Sequence, residues 1–341
     1  GRLSHFAALR IRATRSRSDL DTGRQLPTME FIGLLAGLAG LWYGTEVTIR
    51  GAVAVAERFG ISEFVVGIAI LSIGSDLPEL SIAVDAAIKN LRAGDVSDIV
   101  VGSALGSTLG QIGLVLGIAG MFGYLTMPRT VVVQQGVALL GSVILLALVA
   151  LDGYVSRTEG ITLVVFYAVY LLRVLSDAVS VNEGGAGWWS TRLASAIAYL
   201  VVGLLLVIGS AELTVSSATR VAATLNVEQS IVAVIIIGIG TSLPELSISI
   251  GAVLRRRSEL SLGNVIGSNV FDTLVPIGVA ASITRLEFDV DMLRYELPFL
   301  FVLTFVVLTF LFRRSGIQKR HAIIIIAMYV AYATFRVGEA V

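Results

Sequence analysis

The 341-residue chain contains no cysteine. That excludes disulfides, thiolate metal sites and cysteine nucleophiles. Only two histidines are present, His5 and His321, too few for a histidine-rich zinc site. Charge is also scarce. Charged residues make up 15% of the chain, where a soluble domain carries about a quarter. Net charge is zero and the pI is near 7.0, so nothing electrostatic favours nucleic acid. What is abundant is hydrocarbon: 55% of residues are hydrophobic and the mean hydropathy is +0.87. Apolar runs recur along the chain at about the 20-residue length that crosses a bilayer as a helix. The composition describes an all-α polytopic membrane protein.

Residues 1–28 differ from the rest. They hold six arginines and two aspartates and show little apolar periodicity. They read as a disordered polar leader ahead of a start at Met29, and no small-residue cleavage site marks them as a signal peptide. Hydropathy then places ten spans, at 30–56, 63–89, 97–122, 130–151, 158–179, 194–222, 229–254, 260–283, 292–312 and 320–338. The longest connection, 180–193, contains Asn182-Glu183-Gly184-Gly185-Ala186-Gly187 and reads as a flexible link. It divides the chain into 29–179, with spans 1–5, and 194–341, with spans 6–10.

The two halves repeat. Ile73-Gly74-Ser75-Asp76-Leu77-Pro78-Glu79-Leu80-Ser81-Ile82 is matched by Ile239-Gly240-Thr241-Ser242-Leu243-Pro244-Glu245-Leu246-Ser247-Ile248, an offset of 166. The same offset carries Gly44-Thr45-Glu46 onto Ser210-Ala211-Glu212. An offset of 161 carries the segment from Gly102 to Gln111 onto the segment from Gly263 to Asp272. Chance likeness between apolar helices explains matched Leu and Ile. It does not explain matched Pro-Glu, Gly and Ser at constant offsets. Five spans per half is an odd number, so the second half enters the membrane from the opposite side. The expected architecture is ten transmembrane helices in two inverted five-helix repeats. With the leader set aside, basic residues concentrate on the side holding Arg255-Arg256-Arg257, Arg313, Arg314, Lys319 and Arg320. The positive-inside rule then places both termini outside and the central link in the cytoplasm.

Each motif copy puts a proline and a glutamate inside an apolar run. Proline lacks an N–H and clashes with the carbonyl four residues earlier. Pro78 therefore frees the carbonyl of Gly74, and Pro244 that of Gly240. A carboxylate in hydrocarbon is expensive and marks a cavity or ion pathway. Freed carbonyls, hydroxyls and carboxylates together make a hard oxygen set of the kind Na⁺ and Ca²⁺ prefer. A simple kink explains either proline alone, and helix packing explains either glutamate alone; the duplicated pair points to one site built from two halves. Spans 3 and 8 supply its other wall. Gly102, Gly106 and Gly110, with Gly263 and Gly267, form small-residue ladders that read as close helix packing. Ser107 and Ser268 sit beside the ladders, and Gln111 and Asp272 lie one turn further on the same faces. A hydrogen bond between Gln111 and Asp272 across the pseudo-twofold fits this arrangement.

These motifs resemble the cation/calcium exchanger superfamily, and within it the prokaryotic sodium/calcium exchangers. The likeness rests on Gly240-Thr241-Ser242-Leu243-Pro244-Glu245 and Gly267-Ser268-Asn269-Val270-Phe271-Asp272, with their first-half partners, and extends over about residues 30–340. It implies four cation positions at mid-membrane. Glu79 and Glu245 would be the main Ca²⁺ ligands, helped by carbonyls near Ser75 and Thr241. Ser107, Ser242, Ser268 and Asp272 would complete the Na⁺ or Ca²⁺ positions. It also implies that spans 1 and 6 slide across the core, where Gly40 and Gly209 suit a moving contact. Glu46 and Glu212 on those spans read as snorkelling or gating polar contacts rather than ligands.

The first half departs from the family pattern twice. Asp76 stands where serine is usual, and Gln111 where asparagine is usual. Asp76 adds a fourth acid, so either more cation charge is held or one carboxyl keeps a proton. The expected function is a secondary antiporter in the cell membrane that expels Ca²⁺ using inward Na⁺. A Ca²⁺/H⁺ or other cation/H⁺ exchanger using Asp76 is the alternative, and a cation channel is the alternative from another class. No catalytic spacing supports an enzyme and no cofactor is implied; oligomeric state is left open.

Overall fold

Away from water, every backbone N–H and C=O must be bonded within its own segment, so long apolar runs become helices. The computed structural model of the chain describes residues 28–93, 97–179, 191–224, 242–314 and 316–340. These residues form α1 (Thr28–Phe59), α2 (Glu63–Ser75), α3 (Leu77–Ala93), α4 (97–122), α5 (Arg129–Val149), α6 (Arg157–Val179), α7 (Thr191–Thr224), α8 (Leu243–Leu254), α9 (Ser258–Ile283), α10 (292–314) and α11 (Lys319–Ala340). Residues 1–27 of the leader, 180–190 of the link and 225–241 of span 7, including Thr241, lie outside the described residues.

Local chemistry sets several helix starts. Ser62 Oγ accepts the Val65 N–H at 3.3 Å and caps α2. Ser156 and Glu159 form a reciprocal capping box at α6: the Ser156 N–H donates to Glu159 Oε2 at 2.8 Å, and the Glu159 N–H to Ser156 Oγ at 3.4 Å. Among the described residues seven helices are long and apolar enough to cross a membrane, or eight when α2 and α3 are counted as one bent span. α8 falls short because its described part, Leu243–Leu254, is 12 residues long, and α11 is less apolar, with Lys319, Arg320 and Arg336 among its residues. Among the described residues three helices widen locally into π turns, over Gly67–Ser72 in α2, Gln111–Val115 in α4 and Met292–Glu296 in α10. Such widenings frequently sit at functional positions; hydropathy alone gives no sign of them.

α9 is the central post. Nearly all its side chains are buried, and α2, α3, α4, α5, α6 and α8 pack around it. Its glycine ladder allows that packing. A Cβ on Gly267 would lie 2.8 Å from the Ile68 Cα of α2, closer than side chains approach backbone. The main core joins α2 to α6 with α8 to α11. A separate apolar cluster joins α1 and α7 to each other and to Val66 and Leu71 of α2, Ile248 and Ala252 of α8 and Leu260 of α9. α1 and α7 run against each other through small residues; a Cβ on Gly44 would meet the Val207 backbone nitrogen at 2.9 Å. Gly40 faces Ser210 in that contact, whereas no described atom lies within 4 Å of a Cβ on Gly209.

The helical architecture carries one small exception. β1 (Tyr154–Val155) and β2 (Leu286–Glu287) pair antiparallel, with Tyr154 opposite Glu287 and Val155 opposite Leu286. Leu125 and Ile317 make a further antiparallel bridge. Both tie a connection of the first half to one of the second, and satisfy loop backbone that helices leave unpaired.

Candidate ion-binding site

The site begins at the break between α2 and α3, where the axis bends by 44°. Asp76 makes the bend with φ −90° and ψ 3°. Its N–H still donates to the Ser72 carbonyl at 3.0 Å, and its own carbonyl accepts the Leu80 N–H at 3.2 Å, the first bond of α3. In the second half, Ser242 takes nearly the same conformation, φ −93° and ψ 10°. It too accepts the N–H four residues on, Leu246 at 2.9 Å. The duplicated sequence thus folds into a duplicated helix start, with Pro78 and Pro244 near the N-termini where a missing N–H does no harm. Glu79 and Glu245 fall in the first turns of α3 and α8, at the ends where the helix dipole favours negative charge.

Of the residues singled out from sequence, Ser75, Asp76, Glu79, Ser107, Gln111, Ser242, Glu245, Ser268 and Asp272 are all buried. Thr241 lies outside the described residues. Among these residues, two hydrogen bonds cross between the halves. Ser268 Oγ donates to Asp76 Oδ1 at 3.0 Å, and Gln111 Nε2 donates to Asp272 Oδ2 at 2.9 Å. Gln111 Nε2 also reaches Ser107 Oγ at 3.3 Å, and Ser75 Oγ bonds the Ser72 carbonyl at 3.2 Å. The four carboxyls lie within electrostatic reach of one another: Asp76 with Asp272, Glu245 and Glu79, and Glu79 with Glu245 and Asp272.

The unsatisfied atoms define the chemistry. Asp76 Oδ2, Glu79 Oε2, Gln111 Oε1, both Glu245 carboxylate oxygens and Asp272 Oδ1 are buried without a hydrogen-bond partner among the described residues. Each is an acceptor, so each needs a proton donor or a cation. Among the described residues no basic side chain pairs with any of the four acids. The acids do not close around a point by themselves. Among the described residues no three acidic, histidine or cysteine side chains group as a metal site does. Any cation held here also takes hydroxyl, amide or backbone oxygens.

The surroundings are unequal. Glu245 is fully enclosed, whereas Glu79 borders a cavity of about 490 Å³ that runs between α3 and α7, with Pro78, Pro244 and Glu212 in its lining. Glu46, the counterpart of Glu212, is held by Arg50 Nε at 2.7 Å and by Arg255 Nε at 2.8 Å, a polar contact of the kind its sequence position suggests. Two residues near the acids escape sequence reasoning. The Tyr167 ring of α6 stacks edge-on against Phe271 with centroids 5.4 Å apart, and its hydroxyl lies within electrostatic reach of Asp76 and Asp272. Asn269, one residue past Ser268, is buried with Nδ2 on the Val265 carbonyl at 2.9 Å and Oδ1 unpartnered among the described residues. Its place inside the Gly-Ser-Asn motif was the available signal. Tyr167 lies outside the repeated motifs and gave none.

The family model of the sodium/calcium exchanger protein matches residues 29–176 and 195–338. The chain belongs to the sodium/calcium exchanger protein family. As a member of that family it is an integral membrane transporter and not an enzyme. An uncharacterized membrane protein of Methanocaldococcus jannaschii is 30% identical over 306 residues, covering 89% of this chain and 97% of that protein. The sodium/calcium exchanger MaX1 of Methanosarcina acetivorans is 24% identical, with the same coverage of each chain. Among solved structures, the sodium-calcium exchanger NCX_Mj soaked with Na⁺ and Sr²⁺ superimposes with a TM-score of 0.78 at 27% identity, covering 90% of this chain and 98% of that one. The likeness to these exchangers extends over both halves, so both motif copies and both partner helices fall inside it.

Proposed function

We propose that this chain exchanges Ca²⁺ for Na⁺ across the cell membrane by alternating access, through one buried carboxylate site that serves both ions. The observation that carries the reading is the group Asp76, Glu79, Glu245 and Asp272. Two copies of one broken-helix motif and its partner helix contribute it, and no basic side chain among the described residues neutralises it. Glu79 and Glu245 are the main Ca²⁺ ligands, with backbone carbonyls near Ser75 and Thr241. Ser107, Gln111, Ser242 and Ser268 complete the positions that Na⁺ takes when Ca²⁺ leaves. Sharing makes the exchange obligatory, because the acids need one cation load before they release the other.

The architecture under this reading is ten spans in two inverted five-helix repeats. α11, and the hydropathy span 229–254 to which α8 belongs, add the two spans that length and composition alone do not count. The loop pairings support that path. Tyr154–Val155 and Leu286–Glu287 follow spans 4 and 8, and Leu125 and Ile317 follow spans 3 and 9. A ten-span path puts each pair on one side of the membrane. The names of MaX1 and NCX_Mj favour the same ions.

The test is ⁴⁵Ca²⁺ uptake into proteoliposomes, run with Na⁺, K⁺ and proton gradients applied separately. Uptake driven by an outward Na⁺ gradient is expected. Asp76 favours a second reading, Ca²⁺/H⁺ exchange, because it places one more buried acid at the site than the family pattern has. Uptake that persists without Na⁺ and requires a pH gradient would replace the first reading with the second. Single-channel currents would replace both.

A further inference from the structure

The two repeats hold corresponding contacts in opposite conditions, one shut and one open. On the shut side α1 meets α8. Thr45 Oγ1 lies 2.5 Å from Ser247 Oγ. Arg255 Nε donates to Glu46 at 2.8 Å, Arg255 Nη1 donates to the Gly251 carbonyl at 2.8 Å, and the guanidinium lies 5.7 Å from the centre of the Trp42 ring. Ile248 is 0% exposed. The offset of 166 assigns Ala211 to Thr45, Glu212 to Glu46, Ser81 to Ser247, Ile82 to Ile248 and Lys89 to Arg255. Ala211, Glu212, Ser81 and Ile82 all line the 490 Å³ cavity between α7 and α3. Ile82 is 44% exposed there. Lys89 is turned onto Asp85 Oδ2 of its own helix at 2.5 Å, and among the described residues no basic side chain pairs with Glu212.

We propose that Glu46–Arg255 and Glu212–Lys89 are alternative latches, one for each side of the membrane. In the conformation described here the first is made and the second is open. When α1 and α7 shift together across the core, Arg255 releases Glu46, and Lys89 leaves Asp85 for Glu212. The proposal rests on the alternating-access reading above, in which one bundle of an inverted repeat rocks against the other. α1 and α7 are suited to move as one body, since they pack mainly on each other in an apolar cluster separate from the main core.

Side-chain volumes fit a closure on both sides. On the shut side, Gly251 makes room: a Cβ there would overlap the Thr45 methyl and come within 3.2 Å of Ile49 Cδ1. The counterpart of Gly251 is Asp85, which is larger. The counterparts of Thr45 and Ile49 are Ala211 and Val215, which are smaller. Bulk removed from α7 thus offsets bulk added to α3. The Arg255–Glu46 pair is itself partly solvated, with side chains 25% and 27% exposed. A pair at that exposure holds a conformation weakly enough to open on every cycle.

The absence of native cysteine makes the test direct, because introduced thiols are the only ones. Two double variants of the full chain, Glu46→Cys with Arg255→Cys and Lys89→Cys with Glu212→Cys, are treated in membranes with a short bifunctional thiol reagent. Cross-linking is read on gels after cleavage at a protease site inserted in the 180–190 link. Both pairs are expected to cross-link. Each link is expected to stop ⁴⁵Ca²⁺ flux, and reduction to restore it. Cross-linking of the first pair without the second, under every Na⁺ and Ca²⁺ condition, overturns the exchange of latches; so does failure of both. The gel readout does not depend on transport. Two cross-links in a chain that carries no Ca²⁺ would overturn the exchanger reading and leave the latches standing. As a second check, Lys89→Glu is expected to lower flux at least about tenfold by setting like charges together. Adding Glu212→Lys is expected to recover most of it. No recovery counts against the pair.

Discussion

In the first copy of the repeated motif the residue at the helix start is Asp76, and in the second it is Ser242. Backbone geometry is nearly the same in both, so the carboxylate is not there to make the bend. It is there to add charge. On the partner helices the substitution runs the other way, with neutral Gln111 in the first half and Asp272 in the second. Because Asp76 bonds Ser268, one turn before Asp272 on α9, the two unmatched acids lie on the same flank of the site. The neighbouring flank, built from Ser107, Gln111 and Ser242, is neutral and meets Asp272 through the 2.9 Å bond from Gln111. Pseudo-symmetry therefore governs the scaffold while charge is distributed asymmetrically on it. Two glutamates remain matched between the halves, and those carry the largest expected effects.

Glu79→Gln and Glu245→Gln should each abolish Ca²⁺ uptake, because each removes the charge of a proposed main Ca²⁺ ligand. The comparison sharpens in their stability. Ca²⁺ at about 100 times its Kd should raise the unfolding free energy of the wild-type chain by about 2.7 kcal/mol, if it binds only the folded state. Both variants should lose that increment in thermal unfolding. Glu245→Gln should also be more stable than wild type without Ca²⁺. It replaces a fully enclosed carboxylate that has no partner among the described residues with a neutral amide. Glu79 borders the cavity, so its neutralisation should bring less gain. Near-normal flux in either variant would sink the site assignment.

Asp76→Ser makes the first copy resemble the second. Flux should survive with Na⁺ as the driving ion, and any component driven by a pH gradient alone should disappear. The measurement is the ratio of proton-driven to Na⁺-driven ⁴⁵Ca²⁺ uptake in the two proteins. An unchanged ratio would mean that the extra acid has no part in coupling.

Much of this was legible in sequence, for physical reasons. A helix in hydrocarbon must be apolar for about 20 residues, so spans announce themselves. A buried Pro-Glu pair conflicts with that rule, and its repetition marked the starts of α3 and α8. The hydrogen bond between Gln111 and Asp272 fits one-turn spacing on matched helices, but the structure was needed to show it. What sequence did not hold was the relation between elements. Arg255 lies 209 residues from Glu46 and reads from sequence as one member of a basic loop. Tyr167 belongs to a helix with no motif, and reaches the acids only because α6 packs on α9. The π turn at Gln111 changes side-chain direction without any change in hydropathy. The contrast between an enclosed Glu245 and a Glu79 beside a cavity belongs to a conformation, and one sequence can serve both.

The smallest expected effects test the two flanks against each other. Ser268→Ala removes a 3.0 Å bond to a buried carboxylate, Asp76 Oδ1. Ser107→Ala, at the corresponding position, removes a 3.3 Å contact from the amide of Gln111, which keeps its shorter bond to Asp272. A hydrogen bond to a charged group contributes about 1.5–3 kcal/mol, and a neutral one about 0.5–1.5. The loss at Ser268 should therefore be about twice that at Ser107, read as the difference in unfolding free energy between each variant and wild type. Combining Ser268→Ala with Asp76→Ser should cost little beyond Asp76→Ser alone, because the bond is already gone. Combining Ser107→Ala with Asp76→Ser should instead add the two separate costs, since those residues share no bond. Additivity in both pairs would mean that the two flanks are energetically alike, and that the charge asymmetry of the site does not extend to its hydrogen bonding.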